Sequence, residues 1–300
     1  MSFALTLIAQ NKNLSAGHFA DLGQFLSKND LILENDPKWL ADHKAAYVVL
    51  HDCLTRKQMT ALRETLSSDK IDVLITPVPQ PAIKIMICDM DSTIVDGETL
   101  DDMAGLLGIG DQIKEITDRA MRGEIDFEES LRARVALLEG LSADVIDTIK
   151  FELKLMPGAK SLVRTMAKSG TRCLLVSGGF THITKHVAQI CGFHAHHGNI
   201  LGIKDGMFTG LVKDPILAAD SKQKILENTA YSLGVEHDQI LAVGDGANDL
   251  DMLKLAGLSV GFRPKPILEE NIRNVLHYAD LTALLYAQGF KEEEIIHVES

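Results

Sequence analysis

The 300-residue chain is poor in cysteine, in aromatic residues and in basic charge. Its four cysteines, Cys53, Cys88, Cys173 and Cys191, form no CxxC pair. Cys88 and Cys173 lie inside apolar runs, where cysteine serves as a small hydrophobe. This excludes a disulfide framework and points to a reducing cytoplasm. Lys and Arg total 30 against 42 Asp and Glu, a formal net charge of −12. Phosphate backbones and anionic bilayers are bound through a cationic surplus, so the balance speaks against nucleic-acid and membrane partners. No run approaches the roughly 18 apolar residues of a membrane span. Met1–Asn11 has a short apolar run with no basic stretch ahead of it, unlike a signal peptide. An anionic substrate would need a site whose local sign is reversed, by a cation or by helix N-termini.

What is present divides into zones. The length gives a prior of about two domains. Residues 1–80 carry apolar runs at Phe3–Ala9, Ala46–His51 and Ile71–Thr76, helical patterns near 17–27 and 55–68, and a poorly defined segment at 31–42. That order reads as a small βαββαβ sandwich with a weak second strand. Three prolines in Pro77–Pro81 predict a linker, because proline continues neither a helix nor a central strand.

From residue 83 short, fully apolar runs recur: Ile83–Cys88, Cys173–Val176, Ile240–Val243 and, more weakly, Leu258–Gly261. Helical patterns near 181–191, 221–233 and 248–256 lie between the later ones. Apolar strands alternating with helices predict a parallel sheet covered on both faces, with ligands in the crevice at the strands' carboxyl ends. The stretch 98–155 breaks the alternation with four helical segments, separated near Gly108, Gly123 and Gly140, and reads as a helical cap inserted over the crevice. The expected division is 1–80, a core of 82–97 and 156–300, and a cap of 98–155.

Polar punctuation sits where the crevice should be. Asp89-Met90-Asp91-Ser92-Thr93, Ser177-Gly178-Gly179 and Gly244-Asp245-Gly246-Ala247-Asn248-Asp249 each follow an apolar run, and Lys222 opens a helix. Residues i and i+2 of a strand point the same way, so Asp89 and Asp91 are expected to face the crevice together. Clustered carboxylates make a hard-cation site that suits Mg2+. Lys222, the Ser177 hydroxyl and a helix N-terminus can hold a phosphoryl group. An ionised Asp can attack phosphorus and form an aspartyl-phosphate. A second carboxyl two residues on can protonate the leaving alkoxide and then activate water, which favours hydrolysis over a lasting phosphoenzyme.

Taken together, the four segments resemble the motifs of the haloacid dehalogenase (HAD) phosphatase superfamily, over about residues 82–290. The run Arg119–Leu138, with Glu98, Met121, Phe127 and Arg134, is similar to the phosphoserine phosphatase family within it. The resemblance implies an α/β fold: a HAD-like Rossmannoid parallel sheet with an inserted four-helix cap. It implies Asp89 as nucleophile, Asp91 as general acid/base, and Mg2+ held by Asp89, Asp245 and the Asp91 carbonyl. Ser177, Gly178 and Lys222 would hold phosphate, Asn248 would reach substrate or phosphate, and Asp249 would orient Lys222 or support the metal shell. The implied substrate is O-phospho-L-serine, cleaved to serine and phosphate in the last step of serine biosynthesis. Arg134 would grip its carboxylate and Glu98 its ammonium, under an apolar lid of Met121 and Phe127. The N-terminal zone resembles an ACT/ferredoxin-like domain in layout, which suggests a homodimer or an amino-acid effector.

Rival readings are a HAD phosphatase or phosphotransferase for another small metabolite, and an amino-acid-sensing regulatory protein. His194, His196 and His197 read as surface or packing histidines rather than zinc ligands. A hairpin-like segment, Ile203–Val212 with a turn at Asp205-Gly206, is expected as a flap near the site.

Overall fold

The computed structural model describes residues 2–218 and 220–298, and for Met121 the main chain alone. The N-terminal part runs β1 (Ser2–Ala9), α1 (Ala16–Lys28), β2 (Lys38–Ala41), β3 (Ala45–Leu50), α2 (Arg56–Leu66) and β4 (Ile71–Val78). Its four strands form an antiparallel sheet in the order β2-β3-β1-β4. This is the expected βαββαβ layout. Leu5 and Leu7 of β1 face Leu22 and Leu26 of α1 and Met59 and Leu62 of α2. Ile8 and Leu74 point the other way, into the core of the larger part. The sheet is therefore buried on both faces, which is why β1 reads as a nearly unbroken apolar run. In β2 only Leu40 and Ala41 are buried, so its signal is faint.

The proline-rich linker begins later than expected. β4 continues through Pro77, paired with Phe3, to Val78, paired with Ser2. β4 is the last strand of its sheet, and Ile75 presents its N–H outward to a side chain of the larger part. Pro77 shares that outer edge by alternation, so its missing N–H breaks no ladder bond.

The larger part is a seven-stranded sheet in the order β11-β10-β9-β5-β6-β7-β8. The strands are β5 (Ile85–Cys88), β6 (Arg172–Phe180), β7 (Ala195–Lys204), β8 (Met207–Lys213), β9 (Ile240–Gly244), β10 (Leu258–Phe262) and β11 (Asn274–Leu276). All neighbours pair in parallel except β8, which runs antiparallel to β7 at one edge. Between β5 and β6 the chain forms α3 (Thr99–Leu106), α4 (Gly110–Met121), α5 (Phe127–Ala136), α6 (Val145–Glu152) and α7 (Ala159–Lys168). The stems of the four-helix excursion α3–α6 lie side by side. Asp96 N–H donates to the Lys154 carbonyl and Met156 N–H to that of Ile94, at 2.9 Å each. The later helices are α8 (Thr181–Cys191), α9 (Ser221–Leu233), α10 (Leu250–Leu255), α11 (Pro266–Asn271) and α12 (Ala283–Tyr286).

The hairpin β7–β8 is longer than the sequence suggests and is not a flap over the site. It is the sheet's edge and it braces the helical excursion: Gly140 N–H donates to the Phe208 carbonyl, and Ala143 N–H to that of Gly206.

The two parts are joined by buried polar contacts. The Asn274 amide both accepts from Ile75 N–H (2.8 Å) and donates to its carbonyl (3.0 Å), extending β4 by one side chain. The buried Asp72 carboxylate accepts three N–H groups, from His277, Tyr278 and Ala279, at 2.7–2.9 Å. Asp72→Ala strands these donors, and urea unfolding should show a loss of about 3 kcal/mol; a change below about 0.5 kcal/mol would mean that the clamp contributes nothing.

Candidate active site

The site is assembled at the carboxyl ends of the central strands. β5 stops at Cys88, and Asp89 N–H donates to the Val243 carbonyl of β9 at 3.0 Å. Asp89 and Asp91 line one cavity of about 200 Å³, as expected, although strand alternation is not the reason. Beyond Cys88 the chain turns: Thr93, Ile94 and Val95 all send their N–H groups to the Met90 carbonyl. This turn returns Asp91 to the crevice. There its two oxygens accept from Thr99 N–H (2.9 Å) and from the Ser177 hydroxyl (2.9 Å).

Lys222 is the electrostatic centre. Its ammonium, on the first turn of α9, lies 2.5 Å from Asp89 Oδ1 and 2.5 Å from Asp249 Oδ1. All three side chains are buried. Burial alone would push the ammonium's pKa down, but Asp89 and Asp249 outweigh it and hold it above its usual value. Burial, then the charge of Asp249, pushes the Asp89 carboxyl above the ordinary carboxylate range, and Lys222 opposes that shift. The second Asp249 oxygen accepts from Asp245 and Gly246 N–H, both at 3.1 Å. Asp249 thus fixes the lysine and the loop after β9 at once.

One oxygen each from Asp89, Asp245 and Asp249 fall within 4.8 Å of one another, among the described residues the only such acidic or metal-ligating group. Asp89, Asp91, Glu98, Asp245 and Asp249 face the cationic groups of Lys222, Lys265 and Arg134. Five carboxylates against three cations leave room for a dication. Asp249 has both oxygens engaged inside the protein, so Asp89 and Asp245 are the carboxylates with capacity left. The buried, all-oxygen donor set suits a hard cation.

Across the cavity stand residues of the helical excursion. Arg134 is half-buried on α5, its Nε donating to the Ser130 carbonyl at 3.4 Å. Burial pulls its pKa down, while Asp101 and Glu98 push it up. Glu98 accepts from the Ser92 hydroxyl at 2.9 Å. Phe127, half-exposed, lines the cavity, and a Cβ on Gly178 would come within 3.1 Å of its ring. Asn248 lines the same cavity. The side chain of Met121 lies outside the described residues. Ser177 is turned toward Asp91, and its oxygen also accepts from Gly179 N–H at 2.7 Å.

The sequence reading missed three residues here. Lys265, after β10, contacts Asp245 Oδ2 at 3.0 Å. Its signal was available, since it follows the weakest of the apolar runs. Thr99 supplies the N–H that holds Asp91. Buried Asn199 donates to the Gly178 carbonyl (2.7 Å) and accepts from Leu217 N–H (2.8 Å), securing the glycine turn; no local pattern marks it. The neighbouring histidines pack: His194 Nδ1 accepts from Cys173 N–H, and His196 Nδ1 meets the Thr184 hydroxyl.

A family model described as haloacid dehalogenase-like hydrolase matches residues 83–257, which take in the strands, loops and helix that carry Asp89, Asp91, Ser177, Lys222, Asp245 and Asp249. The chain belongs to this haloacid dehalogenase-like hydrolase family. A phosphoserine phosphatase of Streptomyces coelicolor is 39% identical over 243 residues, 80% of this chain and 59% of that one. The chain thus spans just under six tenths of that relative's length. A phosphoserine phosphatase of Wolinella succinogenes is 37% identical over 203 residues, 68% of this chain and 98% of that one. A crystal structure of a HAD-family hydrolase from Salmonella enterica serovar Typhi superposes with a TM-score of 0.84 at 30% identity, covering 96% of this chain and 98% of that one.

Gly244 tests the local architecture. A Cβ there would lie 2.3 Å from Asp249 Cγ. Gly244→Ala must push Asp249 off Lys222, and thermal unfolding should report a loss of about 2 kcal/mol, typical of overpacking. Unchanged stability would show that Asp249 is not held there.

Proposed function

We propose that the chain is a phosphoric monoester hydrolase acting on O-phospho-L-serine through an aspartyl-phosphate at Asp89. The observation that carries the substrate is that Arg134 and Glu98 line the same cavity of about 200 Å³ as Asp89 and Asp91. A cation and an anion opposite a phosphoryl-transfer pair match a zwitterionic amino acid bearing a phosphate. The volume suits a small metabolite rather than a phosphoprotein segment. The phosphoserine phosphatase relatives support the same reading.

In the proposed reaction an Asp89 oxygen forms a bond to phosphorus as the bond from phosphorus to the serine oxygen breaks. The leaving alkoxide takes a proton from the Asp91 carboxyl. The same carboxylate then takes a proton from water, whose oxygen attacks the phosphorus of the aspartyl-phosphate, releasing phosphate and restoring Asp89. Ser177 and Thr99 hold Asp91 in line for both proton transfers. Lys222 stays beside Asp89 and supplies positive charge to the phosphoryl oxygens, while the Ser177 hydroxyl, Gly178 and Asn248 border the same space. Mg2+, held by Asp89, Asp245 and the main-chain carbonyl of Asp91 and supported by Asp249, would supply the charge neutralisation that lets a carboxylate approach a phosphate dianion. Arg134 binds the substrate carboxylate through two N–H groups, Glu98 the ammonium, and Phe127 keeps water from the cleft.

The inserted helices 98–155 act in this proposal as the cap over a core formed by 82–97 and 156–300. Four free cysteines support a cytoplasmic setting. The open edge strand β2, with Trp39 exposed and Ile32 and Leu33 beside it, supports pairing of two copies through an ACT-like N-terminal domain of residues 1–80.

Phosphate release from O-phospho-L-serine should require Mg2+, stop with chelator, and fall by at least about a thousandfold in Asp89→Asn. Arg134→Ala should raise KM for phosphoserine by about ten- to a hundredfold, the scale of a lost charge-assisted contact, with a smaller effect on kcat. Equal turnover by Arg134→Ala would remove phosphoserine as the substrate, and full activity of Asp89→Asn would remove the nucleophile.

A further inference from the structure

The site holds two lysines of opposite character. Lys222 is 5% exposed and locked between two buried carboxylates. Lys265 is 54% exposed, and its ammonium lies 3.0 Å from Asp245 Oδ2 and 3.9 Å from Glu98 Oε1. Its main chain is anchored, since its N–H donates to the Asp245 carbonyl at 2.8 Å and its own carbonyl accepts from Leu268 N–H at 2.9 Å. Only the long side chain is free to swing, and its ammonium reaches water without unfolding anything. Asp245 and Glu98 are the carboxylates assigned above to a dication and to a substrate ammonium. Among the described residues, the one exposed cation of the site therefore sits where two other cations have to go.

We propose that Lys265 is a built-in stand-in cation: it neutralises Asp245 and Glu98 in the ligand-free site and gives both up to the incoming metal and substrate. The inference rests on the metal-dependent reading of the site. Without Lys265, the five carboxylates of the crevice would face, among the described residues, only Lys222 and Arg134. The repulsion would loosen the turn after β9 and the start of α3. With Lys265 present, a dication meets a neutralised carboxylate and must displace an ammonium, so affinity is traded for a resting site that keeps its shape. Lys222 cannot play this part, because leaving would strand two buried carboxylates.

Manganese binding to the full chain without substrate tests this, with free Mn2+ read from the electron paramagnetic resonance signal of the hydrated ion. Lys265→Met keeps the apolar stem and removes the charge, and Lys265→Gln serves as a second neutral variant. Both should tighten Mn2+ binding by about three- to tenfold, the scale of one partly screened unit charge a few ångströms away. Lys265→Arg should return to near the wild-type Kd. Lys254→Met, which removes an exposed charge on α10, should not tighten it. The metal-free Tm of Lys265→Met should fall below that of wild type, and the gap should close at saturating Mn2+. Unchanged or weaker Mn2+ binding in both neutral variants overturns the proposal, as does equal tightening in Lys254→Met. A wild-type chain that binds no Mn2+ overturns the metal-site reading itself, and this inference with it.

Discussion

The Lys222 ammonium between Asp89 and Asp249 is the contact on which the site depends. A lone buried charge is expensive, and this one is kept because two carboxylates share it while backbone donors satisfy the rest. The contact ties the first turn of α9 to the tip of β5 and to the loop after β9, three segments far apart in the chain. Its geometry dictates neighbouring residues. Position 244 must be glycine because Asp249 folds over it, and Asp249 must be a carboxylate because it receives Lys222 on one oxygen and two N–H groups on the other. With that oxygen capacity used up, Asp89 and Asp245 are left to receive ligands.

Around this point the fold supplies two further supports. On the sheet side, Asn199 fixes the glycine turn through Gly178, and Ser177 holds one oxygen of Asp91, whose other oxygen is held by Thr99 N–H at the start of α3. These bonds come from buried or half-buried groups on regular elements. On the other side, Arg134, Glu98 and Phe127 belong to helices joined to the sheet by paired stems at residues 94–96 and 154–156. Glu98 and Thr99 are consecutive, so the side that faces the cavity from the helices and the support of Asp91 meet at the start of α3. The N-terminal sheet is fastened to the far edge of the core through Asp72 and Asn274, on the strand that follows α11.

Much of this is legible in the amino-acid sequence. The four apolar runs at strand spacing, three of them ending in acidic or glycine-rich punctuation, point to a parallel sheet with a polar tip, because strands buried on both faces leave little room for other composition. The glycine-separated helices of 98–155 were readable for the same reason of period. The sites of failure have physical causes. Pro77 looked like a strand breaker, and it would be in a central strand, but edge position cannot be seen locally. Asp91 reaches the cavity by a turn after β5, which a strand's alternation does not foresee. Asn199 acts only through its tertiary neighbours. Lys265 was passed over because the run before it is the least apolar of the four, although its position at a strand's carboxyl end was a sufficient reason to include it.

The central claim is that one carboxylate, Asp89, bonds to phosphorus. Acid quenching during turnover of O-phospho-L-serine, followed by borohydride reduction and peptide mass spectrometry, tests it directly, because reduction converts an acyl-phosphate side chain to an alcohol while free carboxylates survive. The account predicts homoserine at position 89 and aspartate at 91, 245 and 249. Reduction at another of these positions, or at none while phosphate is still being released, would contradict it.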